Sequence, residues 1–200
     1  MFRKLRTKMD YQAIIDHFYG TADSELKRLL MVHSRAVADK ALRICDCHPE
    51  LHLDREFVEA AAMLHDIGII QCDAPGIFCH GSQPYICHGI MGAKMISDYS
   101  RHSEPSDWLD AIARVCQRHT GAGITRAEIM EQQLPLPLPD DGSEPYMPET
   151  MEEKLVCYAD KFFSKTRLDE EKSLEHVERS LAKFGKAGLT RFGRWREIFR

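Results

Sequence analysis

The stretch AAAMLHDIGII at residues 60–70 places two ionisable side chains, His65 and Asp66, in the middle of an apolar run. A buried polar group without a partner costs about 2–7 kcal/mol. A chain that folds this segment into its interior must therefore bring partners to both side chains. Two solutions are open from these residues alone: a core histidine that hydrogen-bonds a neighbour, or a metal ion.

The composition is that of a globular domain. Of the 200 residues 44% are hydrophobic, which is enough for a sizeable core. The formal net charge of −4 argues against a general nucleic-acid-binding protein, so no nucleic-acid polymer is expected as a partner. No apolar run approaches the roughly 20 residues of a membrane helix, so no membrane association is expected. Seven cysteines without a secretion signal favour reduced thiols and a cytoplasmic location.

The hydrophobic pattern predicts an all-α fold without strands. Apolar residues recur at helical spacing throughout, and Asp54 is placed to cap the helix that leads to His65. Thr125 with Glu128, and Thr150 with Glu153, form capping-box patterns. The predicted helices cover residues 10–19, 22–46, 55–66, 88–99, 106–119, a short segment after 125, 151–166, and one or two segments within 170–200.

The loops and the domain organisation follow from the same pattern. Residues 71–87 are rich in Gly, Pro and Ser, and residues 134–148 contain five prolines, so both are predicted to be irregular. We expect a flexible basic extension at residues 1–9 and one helical domain at 10–170. The C-terminal helices of 171–200 are expected to pack on that domain.

Several polar side chains share the apolar faces of their predicted helices. His33, for example, lies on the stripe of Leu26, Leu30 and Val37. Ionised carboxylates are rarely buried unless they are paired or bind metal, so one shared inner site would satisfy the whole set. Its members are His33, His65, Asp66, His88, His119 and Asp160. Four imidazoles and two carboxylates are more ligands than one tetrahedral zinc ion binds. They suit two transition-metal ions that share a bridging carboxylate.

These residues resemble the HD-domain metal-dependent phosphohydrolase superfamily. The match consists of His33, the HDIG spelling at 65–68 and Asp160 in YADK. His88 in CHGIMGAKMI and His119 in RHTGAGIT resemble its two-metal branch, and the likeness covers about residues 20–170.

The resemblance implies a helix bundle with the metal site in its core. His33, His65, Asp66 and Asp160 would hold the first metal ion. Asp66 would bridge to a second ion held by His88 and His119. Many two-metal relatives carry a lysine where this chain has Ile69. This difference argues against a lysine-assisted mechanism and separates the chain from the cyclic-dinucleotide phosphodiesterases of the superfamily. Iron is the first choice of metal, with manganese, cobalt, nickel or zinc as alternatives.

The implied reaction is hydrolysis of a nucleotide or another small phosphate ester by a metal-bound hydroxide. Asp66 and Lys161 are the candidate catalytic residues. His80, Lys161 and Arg167 are candidate substrate contacts, although Lys161, Lys165 and Arg167 also suit a solvated basic helix face. The loop that carries His80 and the Pro-rich loop at 134–148 are candidates for the rim of the substrate site.

Other interpretations stay open. Some proteins with this fold use two irons and oxygen to cleave C–C or C–P bonds, and the ligand set alone does not separate the two chemistries. Repeated Cys-His pairs such as Cys79–His80 could hold a structural zinc, although the usual C-x2-C spacing is absent. A non-catalytic signalling or interaction domain is the third alternative, and an oligomer is compatible with each of them.

Overall fold

The computed structural model describes residues 9–102, 107–168 and 170–200. Within these ranges the chain forms α-helices joined by turns and one very small sheet, which confirms the all-α prediction. The helices are α1 (Tyr11–Tyr19), α2 (Glu25–Cys47), α3 (Arg55–Leu64), α4 (His88–Arg101), α5 (Asp107–Arg118), α6 (Arg126–Glu131), α7 (Met151–Asp160), α8 (Leu174–Ala182) and α9 (Lys186–Phe199). Residues 1–8 of the predicted extension lie outside the described residues, as does Ser106, the predicted start of a helix.

Side-chain caps fix where several helices begin, as the sequence predicts. Asp54 accepts the backbone N–H of Phe57 at the start of α3. Thr125 and Thr150 form complete capping boxes at the starts of α6 and α7. Each cap satisfies amide groups that the first helical turn leaves without a partner. Among the helices of the described ranges, none is long and apolar enough to cross a membrane.

The bundle centres on α2, α3 and α7, and α4 lies against α5 and the 3-10 turn Ile67–Gln71. Glycines allow this second contact. A Cβ at Gly68 would lie 2.2 Å from both the nitrogen of Gly92 and the carbonyl oxygen of His88. A Cβ at Gly89 would lie 2.6 Å from the carbonyl oxygen of Cys116. The glycine of HDIG therefore brings the first turn of α4 directly against the turn that carries Asp66, whereas α3 itself ends earlier, at Leu64.

The last helix, α9, packs against α7, and α8 packs against α9. The ring of Phe192 in α9 stacks on Tyr158 in α7, with centroids 4.9 Å apart and planes 21° apart. Trp195 and Phe199 are also buried. Arg191 binds Glu128 at 2.8 Å, which ties α9 to α6. These contacts leave the inner side of α7 facing α2 and α3.

The loops contain two features that the sequence pattern did not predict. In the segment 71–87, β1 (Asp73–Ala74) pairs antiparallel with β2 (Cys79–His80). Two-residue strands are too short to show an alternating pattern. The Pro-rich segment is irregular, as predicted, but it packs as a second small core in which Leu136 and Tyr146 are buried.

Candidate metal centre

Six histidine and aspartate side chains converge from five helices. His33 lies within α2, and Asp160 is the last residue of α7. The others stand at helix ends: His65 and Asp66 directly follow α3, His88 begins α4 and His119 directly follows α5. All six side chains are buried. They form two groups that could hold metal and that share Asp66, one with His33, His65 and Asp160 and one with His88 and His119.

In the first group, two imidazoles face two carboxylates. The Nε2 atom of His33 lies 3.0 Å from Asp66 Oδ2 and 3.0 Å from Asp160 Oδ1. The Nε2 atom of His65 lies 3.2 Å from Asp66 Oδ2 and 3.5 Å from Asp160 Oδ1. One oxygen from each carboxylate therefore faces both rings.

The second group uses the other oxygen of Asp66. The Nε2 atoms of His88 and His119 lie 3.5 Å and 3.3 Å from Asp66 Oδ1. The same two nitrogen atoms are 2.9 Å from each other. Asp66 thus presents one oxygen to each group, which is the arrangement that a bridging carboxylate requires.

Backbone carbonyls fix the orientation of three of the four rings. The Nδ1 atoms of His65, His88 and His119 donate to the carbonyls of Ala62, Tyr85 and Cys116 at 2.6, 2.7 and 2.7 Å. Each carbonyl lies three residues earlier in the chain. With Nδ1 protonated, a neutral ring keeps its lone pair on Nε2, the atom that faces the site.

Unpaired polar atoms show that the described protein groups do not satisfy one another. The Nε2 atom of His65 and Oδ1 of Asp66 are buried without a hydrogen-bond partner among the described residues, whereas Oδ2 of Asp66 has Lys165 Nζ at 2.6 Å. The two facing Nε2 atoms of His88 and His119 bring lone pairs together. Cations bound between these acceptors would satisfy all of them, so the residues present fit divalent metal ions.

The electrostatics of the first group favour ionised carboxylates. Burial opposes ionisation of Asp66, but the charges of Lys165 and His65 outweigh it and hold the pKa of that carboxyl well below its usual range. For Asp160, burial is likewise outweighed, chiefly by the charge of Lys161, and the pKa is well below its usual range. Burial disfavours the charged ring of His65, but the neighbouring carboxylates raise its pKa to about 9.

The second group has neutral imidazoles. Burial and the nearby ring of His119 lower the pKa of His88 to about 3. Burial also lowers the pKa of His119. A neutral ring is the form that binds metal, so these two side chains need not release a proton first.

Residues 30–164 match the HD domain family. The chain belongs to this family. Membership confirms the predicted resemblance and indicates a metal-dependent hydrolase. No solved structure matches the chain.

Similar proteins include two archaeal enzymes named tRNA (cytidine(56)-2'-O)-methyltransferase. The one from Picrophilus torridus is 37% identical over 140 residues, which cover 70% of this chain and 33% of the enzyme. The one from Thermoplasma volcanium is 30% identical over 162 residues, 81% of this chain and 39% of the enzyme. An uncharacterised protein of Methanocaldococcus jannaschii is 30% identical over 154 residues, 76% of either chain. This HD-domain chain therefore spans between a third and two fifths of the two methyltransferases.

Two lysines from the segment after α7 bind the carboxylates of the HD-domain site. Lys161 Nζ lies 2.7 Å from Asp160 Oδ2 and donates to the carbonyl of His119 at 3.2 Å. Lys165 Nζ lies 2.6 Å from Asp66 Oδ2. The side chain of Lys165 is 13% exposed. Lys161, the predicted catalytic and substrate-binding lysine, is therefore engaged by two protein groups, and Lys165 is the lysine next to the bridging carboxylate.

Lys165 also lines the open cleft beside the site. Two cavities, of about 610 and 450 Å³, meet at Lys165, Thr166 and Gly76. Arg167 lines the larger one, and its side chain is 73% exposed. Tyr85 lines the smaller one and stacks on His88, with ring centroids 4.8 Å apart. We refer to these two cavities together as the cleft.

His80, its loop and the Pro-rich segment, which the sequence predicts to contact the substrate or to form its rim, differ in their positions relative to the cleft. His80 is exposed on β2 opposite Asp73 and is not among the described residues that line the cleft. Its loop does border the cleft, through Gly76, Phe78 and Tyr85. The Pro-rich segment does not. Its Leu134 lines a separate apolar cavity of about 300 Å³ near Phe184.

Sequence reasoning missed the role of Lys165 because it extended α7 to residue 166. The helix ends at Asp160, so Arg167 does not lie on the basic helix face that the sequence suggests. The chain tightens into i→i+3 hydrogen bonds at Lys161, Phe162 and Phe163 and then turns back. The structural zinc alternative gains no support, because neither group that could hold metal among the described residues contains a cysteine.

Proposed function

We propose that this chain is a metal-dependent phosphohydrolase that acts on a nucleotide or another small phosphate ester. One observation carries the proposal: six buried histidine and aspartate side chains form two groups that could hold metal, share Asp66 and lie beside a cleft lined partly by basic side chains. We propose two divalent ions, with iron as the first choice and manganese, cobalt, nickel or zinc as alternatives. Six nitrogen and oxygen ligands suit such ions.

The protein's own contribution begins with orientation. Backbone carbonyls hold three imidazoles with Nε2 facing inward, and Asp66 offers one oxygen to each group. When bound, two such ions supply a water of lowered pKa and positive charge for the phosphoryl oxygens. Lys161 neutralises the oxygen of Asp160 that does not face the imidazoles. This arrangement keeps both carboxylates ionised and fixed before substrate arrives.

The cleft supports an anionic substrate. Arg28, Lys165 and Arg167 line its larger cavity, and Lys172 lines the smaller one. Their charges favour a phosphate group at the entrance to the site. Phe78 and Val32 add apolar surface in the same larger cavity, which would accommodate an organic leaving group. A small phosphate ester offers both features.

Methyl transfer to tRNA is the activity named for two similar proteins. It is not part of this proposal, because the chain spans only 33% and 39% of those enzymes. The metal-binding groups, by contrast, all lie within or directly beside the helices of the present chain. The proposal therefore rests on groups that this chain itself contains.

The experiment combines elemental analysis with a substrate panel. Purified protein should contain about two transition-metal ions per chain. Reconstituted protein should hydrolyse p-nitrophenyl phosphate, its bis ester or a nucleotide, with equal rates in air and under nitrogen. The Asp66→Asn variant removes the shared carboxylate and should lose bound metal and activity together, whereas His176→Gln on the exposed face of α8 should lose neither. Turnover that requires oxygen would favour the oxygenase alternative, and unchanged activity in Asp66→Asn would exclude this site.

A further inference from the structure

The contacts of Lys161 and Lys165 differ in one atomic detail. Lys161 binds Oδ2 of Asp160, whereas His33 and His65 face the other oxygen, Oδ1. Lys165 binds Oδ2 of Asp66, and that oxygen is the one that His33 and His65 face, at 3.0 and 3.2 Å. Lys161 thus contacts a carboxylate oxygen that does not face the imidazoles. Lys165 contacts an oxygen that does face them and that would bind the metal ion of the first group.

We propose that Lys165 exchanges between two anions: it neutralises Asp66 in the metal-free site and binds the phosphate group of the ligand once metal is bound. This inference rests on the proposed function. A metal ion and the ammonium group of Lys165 compete for Asp66 Oδ2, since like charges repel strongly at short range in a buried site. Metal binding therefore displaces Lys165 and leaves Lys161 in place.

The cleft is the space into which Lys165 moves. Its side chain already lines both cavities of the cleft, and Nζ lies 5.9 Å from the centre of the Tyr85 ring. Four methylene groups give a lysine ammonium a long reach without backbone movement. A phosphate beside the metal site is the anion that replaces Asp66 as the partner of Lys165.

Two binding constants test the exchange, and neither depends on turnover. The first is the affinity of the metal-free protein for Mn²⁺, measured by competition with a chelating dye. The second is the affinity of the Mn²⁺-loaded protein for inorganic phosphate, measured by calorimetry. In Lys165→Met, Mn²⁺ should bind about tenfold more tightly and phosphate about tenfold more weakly, changes on the scale of one charge-assisted interaction. General damage to the site would weaken both.

The comparison variants separate Lys165 from lysines in general. Lys161→Met should not bind Mn²⁺ more tightly, because Lys161 does not occupy the oxygen that faces the imidazoles. Lys94→Met, on the exposed face of α4, should change neither constant. Lys165→Arg should restore phosphate binding, since a guanidinium group also binds phosphate.

The outcomes also distinguish this inference from the proposed function. Unchanged or weaker Mn²⁺ binding in Lys165→Met, or unchanged phosphate binding, overturns the inference even if the wild-type protein hydrolyses phosphate esters. Opposite shifts of the two constants support it even if no ester is turned over, in which case only the proposed function fails. A wild-type protein that binds neither Mn²⁺ nor any of the other proposed ions overturns both.

Discussion

His88 and His119 direct their Nε2 atoms at each other across 2.9 Å, while the Nδ1 atom of each ring donates to a backbone carbonyl. Burial lowers the pKa of both rings, so neither ring carries a proton that could join the two nitrogen atoms near neutral pH. Two buried lone pairs at this distance repel each other, and a cation bound between them would remove that repulsion. Asp66 Oδ1, within 3.5 Å of both nitrogen atoms, completes a three-ligand site that is separate from the His33 and His65 side.

Replacement of His119 by glutamine should therefore remove one metal ion and leave the other. His119 belongs only to the group with Asp66 and His88, whereas the first group keeps all its ligands. Elemental analysis should give about one ion per chain in place of the two proposed for the wild-type protein. His176→Gln, on α8, is the matched control and should keep the full content. Loss of all metal in His119→Gln would mean that the two groups do not bind independently.

Gly68→Ala should destabilise the protein by about 2 kcal/mol, in the usual range for an overpacked core. The new Cβ would lie 2.2 Å from backbone atoms of His88 and Gly92, so α4 would have to move. Gly193→Ala is the control, because its Cβ meets nothing within 4 Å in α9 and should stabilise the helix by about 0.5–1 kcal/mol. Urea unfolding of both variants measures the difference. If Gly68→Ala and the wild-type protein had equal free energies of unfolding, α4 would be able to move away from the new Cβ without loss of stability.

The clustering of the six histidine and aspartate side chains could be predicted from the sequence because helical periodicity fixes the direction of a side chain. His33 shares the face of Leu30 and Val37, and that face is buried as the spacing predicts. The HD dipeptide stands at the end of an apolar helix whose start Asp54 fixes. Local rules of this kind place each residue on its own element, and burial then brings the elements together.

The end of α7 could not be predicted in the same way because a distant residue fixes it. Lys172 Nζ donates to the carbonyls of Lys161 and Phe163 at 3.2 and 2.8 Å, eleven and nine residues back along the chain. These contacts satisfy carbonyls that a longer helix would have bonded itself. The helical pattern of KFFSK contains no local stop signal, so Lys165 was assigned to a helix face when it lies in the turn beside Asp66.

Arg167→Ala should raise KM for a phosphate ester by about 2- to 5-fold, with little change in kcat, since an exposed charge contributes little in water. Its side chain is 73% exposed at the edge of the cleft, next to Lys165. His80→Ala provides the contrast, because His80 is exposed on β2 away from the described lining of the cleft and should leave KM unchanged. Steady-state kinetics at low and high salt checks both, and the Arg167 effect should shrink in high salt. A larger effect from His80 would place the substrate over the small sheet.

The carboxylate of Glu153 joins α7 to α5 far from the cleft. It is 2% exposed, accepts the backbone N–H of Glu149 at 2.7 Å and binds Arg118 at 3.0 Å and Arg114 at 3.2 Å. Burial opposes its ionisation, but the N–H of Glu149 and the charge of Arg118 outweigh burial and lower its pKa below the usual 4.5. A lowered folded-state pKa means that the carboxylate stabilises the fold above pH 4.5 and loses that contribution as pH falls through the lowered value.

Glu153→Gln should therefore lower the free energy of unfolding near neutral pH by about 2 kcal/mol, the scale of hydrogen bonds to a charged group. The difference from the wild-type protein should shrink as pH falls below 4.5, because the carboxyl of the unfolded chain takes up a proton before the buried one does. Urea unfolding of the metal-free protein from about pH 7 to about pH 3.5 measures this decline. Glu131→Gln, on the exposed side of α6, controls for the loss of one negative charge. A difference that stays constant across this range would assign the cost to packing instead of to the charge of Glu153.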